Sequence, residues 1–374
     1  MNVSNARSGA LAAPVEHVRL AGYPGLVGFA VVLTSMLALV FPTGKEYADL
    51  ATVTTPDRYS IAYLDVLTRG NPQEVELRFV YVKQLGALGR FDKAIGLLEP
   101  VLADPRHHLT AANMRFDLRL AQARSIPEDN PLRKETFELV YSDLKGLLPL
   151  PHDSARMREL AKVALELEHP ELASKFLLRL ADQTDEKGKA PILAEAAHWL
   201  RASGDGKSAS ANYDKAAGMT PDPTVGRAYA LASIAALEAE NAVPEAADRA
   251  AQYAVVYPKD LDILMKATQL ATACSRDEAA RDLGRQVLAL AVEDDLPDAF
   301  LREQAKRELA LHDPVTALKF IKRLVARHPN DIDLREAEAY VAEWAGELRL
   351  ALRDWLFVMR HGRGSNAGRG GIRL

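Results

Sequence analysis

Small and apolar residues recur along most of the chain at the three- and four-residue spacing that is typical of amphipathic helices. The clearest example runs through Gly204, Ala209, Tyr213, Ala216 and Pro221. Glycine suits a turn, alanine lets two helices cross closely, and an aromatic ring packs into the next layer. Proline ends a helix because it has no N–H to donate. This segment is therefore predicted to be the second helix of a helical pair.

Copies of this spacing recur on both sides of the segment, at intervals of about 34 residues. The small residue that opens each copy is Ser60, Ala94, Ala173, Ala246, Ala279, Ala317 or Ala351. Pro221, Pro258 and Pro329 fall at the same position of their copies. Chance placement of alanine in an alanine-rich chain does not explain this agreement.

The segments before several of these copies are apolar at helical spacing, as the first helix of a pair should be. They are residues 76–86, 190–200, 226–237 and 298–309. Residues 109–148 fit as a further pair with a longer turn at 125–130.

Residues 57–361 therefore resemble the tetratricopeptide repeat (TPR) family. The resemblance implies an all-α fold, a right-handed superhelical array of roughly eight antiparallel helix pairs. Such arrays hold other proteins. A helical bundle without repeats is the alternative fold.

The N-terminal region contains a stretch of 25 residues without a charge, Leu20–Gly44, between Arg19 and Lys45. A transmembrane helix needs about 20 mostly apolar residues. The stretch lacks small residues at a cleavage site, so an uncleaved anchor is favoured over a cleaved signal peptide or a buried helix. We expect a tail at 1–19, a transmembrane helix at Leu20–Phe41 and a linker at 42–56.

The orientation of this anchor is not decided by its flanking charges, because Arg7 and Arg19 are matched by Lys45 and Arg58. A short tail that stays inside while a large domain is exported is the ordinary arrangement. We therefore expect a single-pass protein of a bacterial inner membrane with a periplasmic array.

An anchor followed directly by a helical pair, residues 59–89, also resembles the N-terminal part of Pel-type exopolysaccharide export proteins. The resemblance covers only the anchor and the array, since nothing after Gly362 can form the strands of an outer-membrane barrel. It implies a membrane-tethered scaffold in an extracytoplasmic assembly for exopolysaccharide export. The alternative is an accessory or chaperone-like regulatory subunit of a membrane enzyme complex.

The net charge of −4 argues against a nucleic-acid partner, since such proteins are usually basic. The Gly/Arg-rich residues 362–374 are interpreted as a disordered tail. The single cysteine, Cys274, excludes an intramolecular disulfide and a cysteine zinc site. We interpret it as a small turn residue in the place that Gly204 and Gly346 fill in their repeats.

No catalytic, cofactor or metal site is predicted. The sequence Gly204–Ser208 resembles the end of a phosphate-binding loop, but Arg201 stands where that motif needs its first glycine. The histidines lack the spacing of a helical zinc site, and no nucleophile elbow is present. An enzyme with its site in residues 109–148 is the remaining catalytic alternative.

The TPR resemblance implies a binding groove lined by residues of the first helices. Its basic rim is predicted to comprise Lys83, Arg158, Lys162, His198, Arg201, Arg302 and Lys306. Its apolar middle is predicted to comprise Leu231, Ala235, Leu264 and Ala271. This pattern favours an acidic, partly helical partner segment, and a solvated charged face is the alternative.

The last second helix, residues 348–359, is followed by glycine-rich sequence without a polar capping helix. Terminal repeats usually need such a cap. Leu352, Trp355, Leu356 and Val358 are therefore expected to be partly exposed. The hypothesis is that they dock on a partner, on another copy, or on the sequence of a longer parent.

Overall fold

A computed structural model describes residues 23–40, 58–291 and 296–361 of the protein. Within them the chain forms eighteen α-helices and no strand. In chain order they are α1 (Tyr23–Val40), α2 (Arg58–Gly70), α3 (Val75–Ala87), α4 (Phe91–Leu102), α5 (His108–Ser125), α6 (Pro131–Leu147), α7 (Ser154–Glu166), α8 (Pro170–Gln183), α9 (Glu186–Ala202), α10 (Gly206–Met219), α11 (Pro223–Ala239), α12 (Val243–Val256), α13 (Leu261–Ala273), α14 (Asp277–Leu290), α15 (Asp298–Ala310), α16 (Pro314–Arg327), α17 (Ile332–Trp344) and α18 (Leu348–His361). The predicted N-terminal tail, linker and Gly/Arg-rich tail lie outside the described residues.

Helices α3 to α18 fall into eight consecutive pairs, from α3–α4 to α17–α18, and the members of each pair pack against each other. They form two compact units that divide between Leu150 and Pro151. The first unit holds α1, α2 and two of the pairs, and the second holds the other six. The prediction of an all-α, TPR-like array of helix pairs is confirmed. Its right-handed superhelical course stays a prediction.

One kind of turn joins the two helices in seven of the eight pairs. In each, one residue adopts the left-handed backbone conformation, with φ between 56° and 89°. The next residue donates its N–H to a carbonyl of the first helix, at 2.8–3.0 Å. The left-handed residues are Gly89, Glu168, Gly204, Asn241, Ser275, His312 and Gly346. This hydrogen bond ends the first helix, and the turn reverses the chain.

A buried alanine follows each left-handed residue at the same distance, five positions later in the sequence. These alanines expose at most 2% of their surface, and they are Ala94, Ala173, Ala209, Ala246, Ala280, Ala317 and Ala351. Because alanine has only a methyl group, the second helix can approach its neighbours closely at this point. The turn and the crossing point therefore form one fixed unit.

This rule corrects two predictions for the pair α13–α14. The buried alanine is Ala280 and not Ala279, which is exposed. The left-handed turn residue is Ser275 and not Cys274, which precedes it with φ −93°. Two adjacent alanines at 279 and 280 allow either choice in the sequence, and only the turn geometry decides between them.

The pair α5–α6 lacks the left-handed turn and has the longer connection that was predicted at 125–130. Helix α5 ends at Ser125, and α6 begins at Pro131. The Asn130 side chain accepts a hydrogen bond from the Leu132 N–H at 3.0 Å and so caps α6.

Helix α1 covers residues 23–40, within the predicted anchor. The side chains of Leu26, Phe29 and Met36 are exposed. Among the described helices, none combines the length and the apolar character that a bilayer crossing requires. The described helices thus do not support the transmembrane helix predicted at Leu20–Phe41, whose outermost residues lie beyond the described part.

The final pair, α17–α18, contains a carboxylate pair in its core. Glu338 and Asp354 are almost completely buried. Arg335 contacts both carboxylates, at 3.4 Å from Glu338 and 2.8 Å from Asp354. Burial, followed by the neighbouring Asp354, raises the pKa of Glu338 to about 7.

We predict that Gly204→Ala lowers the free energy of unfolding by about 1 kcal/mol, because alanine resists the left-handed conformation. A Cβ at this position would meet no atom within 4 Å, so the loss reports backbone conformation alone. Gly218→Ala in α10 is the matched control, since its Cβ is equally unobstructed but its backbone is helical. It should leave stability unchanged or raise it. Urea denaturation measures both, and equal effects would contradict the turn assignment.

We predict that the Glu338 carboxyl makes the protein less stable as the pH rises from about 4.5 to 7. The folded state binds this proton more tightly than the unfolded state, so raising the pH removes stability until the folded pKa is passed. One proton gives a slope of at most about 1.4 kcal/mol per pH unit. Glu338→Gln should flatten the profile of urea midpoints over this interval. Parallel profiles for the two proteins would show that Glu338 titrates normally.

Candidate partner-binding surfaces

The predicted rim cations lie at the surface on first helices. Lys83 belongs to α3 in the first unit and is exposed. The others belong to the second unit, where Arg302 is half-buried and Arg158, Lys162, His198, Arg201 and Lys306 are at least partly exposed. Counted from the buried alanine of each pair, Arg158 and Arg302 occupy one equivalent position, and Lys162, His198 and Lys306 occupy another. Arg201 lies about one turn beyond His198 on α9. The repeat therefore brings them to one side of the second unit.

The predicted apolar middle is half right. Leu231 and Ala235 on α11 are half-buried, as surface positions should be. Leu264 and Ala271 on α13 lie in the core, and the Ala271 carbonyl accepts the hydrogen bond that closes the α13–α14 turn. Leu264 lies one residue from a surface position of α13, for the same reason that Ala279 was mistaken for Ala280, and Ala271 lies two residues from one.

The surface positions of α13 are instead occupied by Met265 and Gln269. Met265 is half-buried and Gln269 is exposed. Counting from Ser275 would have found them, since the left-handed residue fixes the register of its pair. We call the combined set the first-helix surface: Arg158, Lys162, His198, Arg201, Leu231, Ala235, Met265, Gln269, Arg302 and Lys306.

Four of the cations of the first-helix surface are unpaired. Lys162, Arg201, Arg302 and Lys306 have no carboxylate within ion-pair distance in the described part of the chain. Arg158 differs, because its guanidinium lies 3.2 Å from the Glu195 carboxylate. Unpaired cations flank the apolar centre on both sides, and their positive potential is available to a partner.

Helix α17 carries two carboxylates on the equivalent side, one of them at the position of a rim cation, and sequence reasoning missed both. Asp333 is exposed and Glu336 is half-buried. They stand in α17 where Ala299 and Arg302 stand in α15. The charge of the surface therefore changes sign between these two neighbouring first helices.

A pocket of about 270 Å³ opens between α13 and α15. It is lined by Thr268, Gln269, Thr272, Pro297, Ala299, Phe300, Glu303 and Gln304. The Gln304 side chain is 1% exposed, and its Oε1 has no hydrogen-bond partner in the described part. Pockets for whole small molecules are usually 300–1,000 Å³, so this one suits a single side chain of a larger partner. It borders the first-helix surface at Gln269, and no sequence motif indicates it.

The residues of α18 that were predicted to be partly exposed differ in their solvent exposure. Leu352 and Leu356 are exposed, and Val358 is half-buried. Trp355 is half-buried, because its ring packs edge-on against Tyr340 and its Nε1 donates to the Glu343 carboxylate at 3.0 Å. The open face is thus formed by leucines, and the tryptophan belongs to the last repeat.

No cluster of three or more His, Cys, Asp or Glu side chains in the described ranges could hold a metal ion. Cys274 is half-buried at the end of α13. The expectation that the chain has no metal, cofactor or catalytic site stays a prediction.

No protein-family model matches the chain, and no curated protein matches it. Several solved structures do. The MamA protein aligns with a TM-score of 0.33 and 12% identity, over 49% of this chain and 98% of that one. The Cut9–Hcn1 hetero-tetramer of the APC/C aligns with a TM-score of 0.27 and 14% identity, over 86% of this chain and 60% of that one.

The C-terminal part of a TPR repeat-containing protein from Cytophaga hutchinsonii aligns with a TM-score of 0.27 and 14% identity, over 79% of this chain and 100% of that one. All three TM-scores are below 0.5, so none of these proteins brings a partner or a function to this chain. The left-handed turns and buried alanines of the chain itself establish its TPR-like fold.

Proposed function

We propose that this protein is a scaffold that binds partner proteins, and that its first-helix surface binds a segment with an apolar centre and acidic flanks. The main support for this proposal is the order of apolar and basic side chains along that surface. Half-buried Leu231 and Met265 lie between unpaired cations on α7 and α9 and unpaired cations on α15.

The apolar centre supplies a place for anchoring side chains. Leu231 and Met265 contribute apolar area that remains accessible in the free protein. The pocket beside Gln269 adds a recess of about 270 Å³ for one inserted side chain. Burial of apolar side chains in such recesses governs how slowly a complex dissociates.

The cations of the first-helix surface attract an acidic segment and orient it. Arg201 lies on one side of the apolar centre, and Arg302 and Lys306 lie on the other. Because they are unpaired, they speed the approach of an acidic segment, and salt weakens this effect. The carboxylates of Asp333 and Glu336 on α17 repel the same segment, so we propose that it ends over α15.

We further propose that the chain acts by binding and not by catalysis, since arrays of helix pairs present extended surfaces suited to recognition. We also propose that residues 20–41 tether it to a bacterial inner membrane with the array in the periplasm, in an assembly for exopolysaccharide export. The charge-free stretch Leu20–Gly44 supports the tether. A role as an accessory or chaperone-like subunit of a membrane enzyme complex is the alternative.

We predict that Arg302→Glu with Lys306→Glu weakens binding of an acidic partner segment at least about tenfold at low salt. The probe is a synthetic fluorescent peptide with leucines at its centre and glutamates at both ends, followed by fluorescence anisotropy. The double variant should also lose most of the salt dependence of the association rate.

The matched control is Lys215→Glu with Lys319→Glu. It makes the same charge change at exposed lysines of second helices. Circular dichroism verifies that both variants keep their helices. Equal loss of binding in both variants would mean that the effect comes from net charge alone. Unchanged binding by Arg302→Glu with Lys306→Glu would show that the segment does not bind the first-helix surface.

We predict that alkaline phosphatase fused to the chain end is active in a bacterial host, because the anchor exports the array and any domain fused behind it. N-terminal sequencing of membrane-extracted protein should return the original Met1. An inactive fusion would place the array in the cytoplasm, and a mature N-terminus near Pro42 would show that residues 20–41 are a cleaved signal.

A further inference from the structure

We infer that the outer face of α18 is a second docking surface, which takes one helix of a partner protein that has small residues on its docking face and acidic residues along one edge. This surface consists of Leu348, Leu352, Leu356 and Met359, and we call it the terminal stripe. It lies on a second helix, whereas the first-helix surface lies on first helices. The inference therefore does not rest on the proposed function.

The preceding repeats show what normally covers this face. In the second unit, each second helix from α8 to α16 packs against the first helix of the next pair. At the position of Leu352, four of these five helices carry a buried residue: Ser174, Ser210, Ala247 or Leu318. At the position of Met359, three carry a buried residue: Ala181, Ala254 or Val325. In these repeats, the element that covers this face is therefore a helix.

No helix in the described ranges covers the same face of α18. Leu352 is 61% exposed and Met359 is 63% exposed, whereas Leu318 and Val325 of α16 are 3% and 4% exposed. Leu348 and Leu356 are exposed beside them. The four side chains are spaced by three or four residues, so they form a continuous apolar stripe along the helix.

The size of Leu352 and Met359 indicates which residues a partner helix needs on its docking face. In the second unit, α8, α10 and α12 carry serine or alanine at both equivalent positions, whereas α14 and α16 carry larger residues there. Leu352 and Met359 project farther from the helix. A partner helix that presents alanine or glycine opposite them leaves room for these longer side chains and can pack at a similar distance.

The positive charge beside the terminal stripe indicates which residues a partner helix needs along one edge. Arg349, Arg353 and Arg360 are exposed along one side of the terminal stripe. Arg353 donates to the Asp354 carboxylate, and this hydrogen bond raises the pKa of its guanidinium. Arg349 and Arg360 have no ion-pair partner among the residues described. Carboxylates on the partner helix would pair with them.

The same arginines disfavour a second copy of α18 as the occupant. In a symmetric antiparallel pair of identical helices, each edge faces the same edge of the other copy. The arginine edges would then meet, and like charges in that position repel. An acidic helix satisfies both the stripe and its edge.

The test uses the full chain and a synthetic helical peptide with alanine on one face and glutamate along one edge. A control peptide carries lysine in place of each glutamate. We expect the glutamate peptide to bind saturably by fluorescence anisotropy, and at least about tenfold more tightly than the lysine peptide. Leu352→Asp with Met359→Asp should abolish this preference and weaken binding by a similar factor.

Three further double variants test whether binding is specific to the terminal stripe. Arg349→Glu with Arg360→Glu should reverse the preference, so that the lysine peptide binds more tightly. Val255→Asp with Val315→Asp changes exposed apolar residues of α12 and α16 and should leave binding unchanged. Arg302→Glu with Lys306→Glu should also leave it unchanged, which separates this surface from the first-helix surface.

Three outcomes would overturn the inference. The first is equal binding of the two peptides. The second is binding that survives Leu352→Asp with Met359→Asp while circular dichroism shows intact helices. The third is a dimer in sedimentation experiments that this double variant dissociates, which would make a second copy the occupant.

Discussion

The left-handed turn between paired helices is the constraint on which the rest of the structure depends. One residue with positive φ and one hydrogen bond across it end the first helix and start the second. The alanine five positions later then lies where the helices cross. Once this register is set, every other position of the pair is assigned to the core, to a neighbouring helix or to a solvent-facing side. The two proposed docking surfaces are both consequences of this assignment.

Each surface arises from a different face of the helix pair. First helices leave one side free in every pair, and repetition aligns those sides into the first-helix surface. Within the described part of the second unit, second helices are covered by the next pair, except for α18. Charge distinguishes the two surfaces further, since the first changes sign between α15 and α17 while the second has arginines along one edge. Together the two proposals imply a scaffold that binds two chemically different segments.

Much of the fold could be predicted from the sequence because its repeated signals reinforce one another. Gly204, Ala209 and Pro221 fall at fixed distances, and copies of the pattern identify the pairs. The failures at Ala279, Cys274, Leu264 and Ala271 have a common origin in one pair. There a serine takes the left-handed position, and serine gives a weaker signal than glycine. The pocket beside Gln269 could not be predicted, because it depends on the distance between two helices and not on their residue types.

The distance from turn to alanine is constant, whereas the distance between repeats is not. Successive buried alanines from Ala173 to Ala351 are separated by 36, 37, 34, 37 and 34 residues. The connections inside the pairs of the second unit keep one length, so all of this variation lies in the helices and in the connections between pairs. Insertions and deletions within a turn would shift the crossing alanine and expose the core, whereas those between pairs only lengthen a surface loop. The connections between pairs are therefore the places where an inserted tag or domain would disturb the fold least.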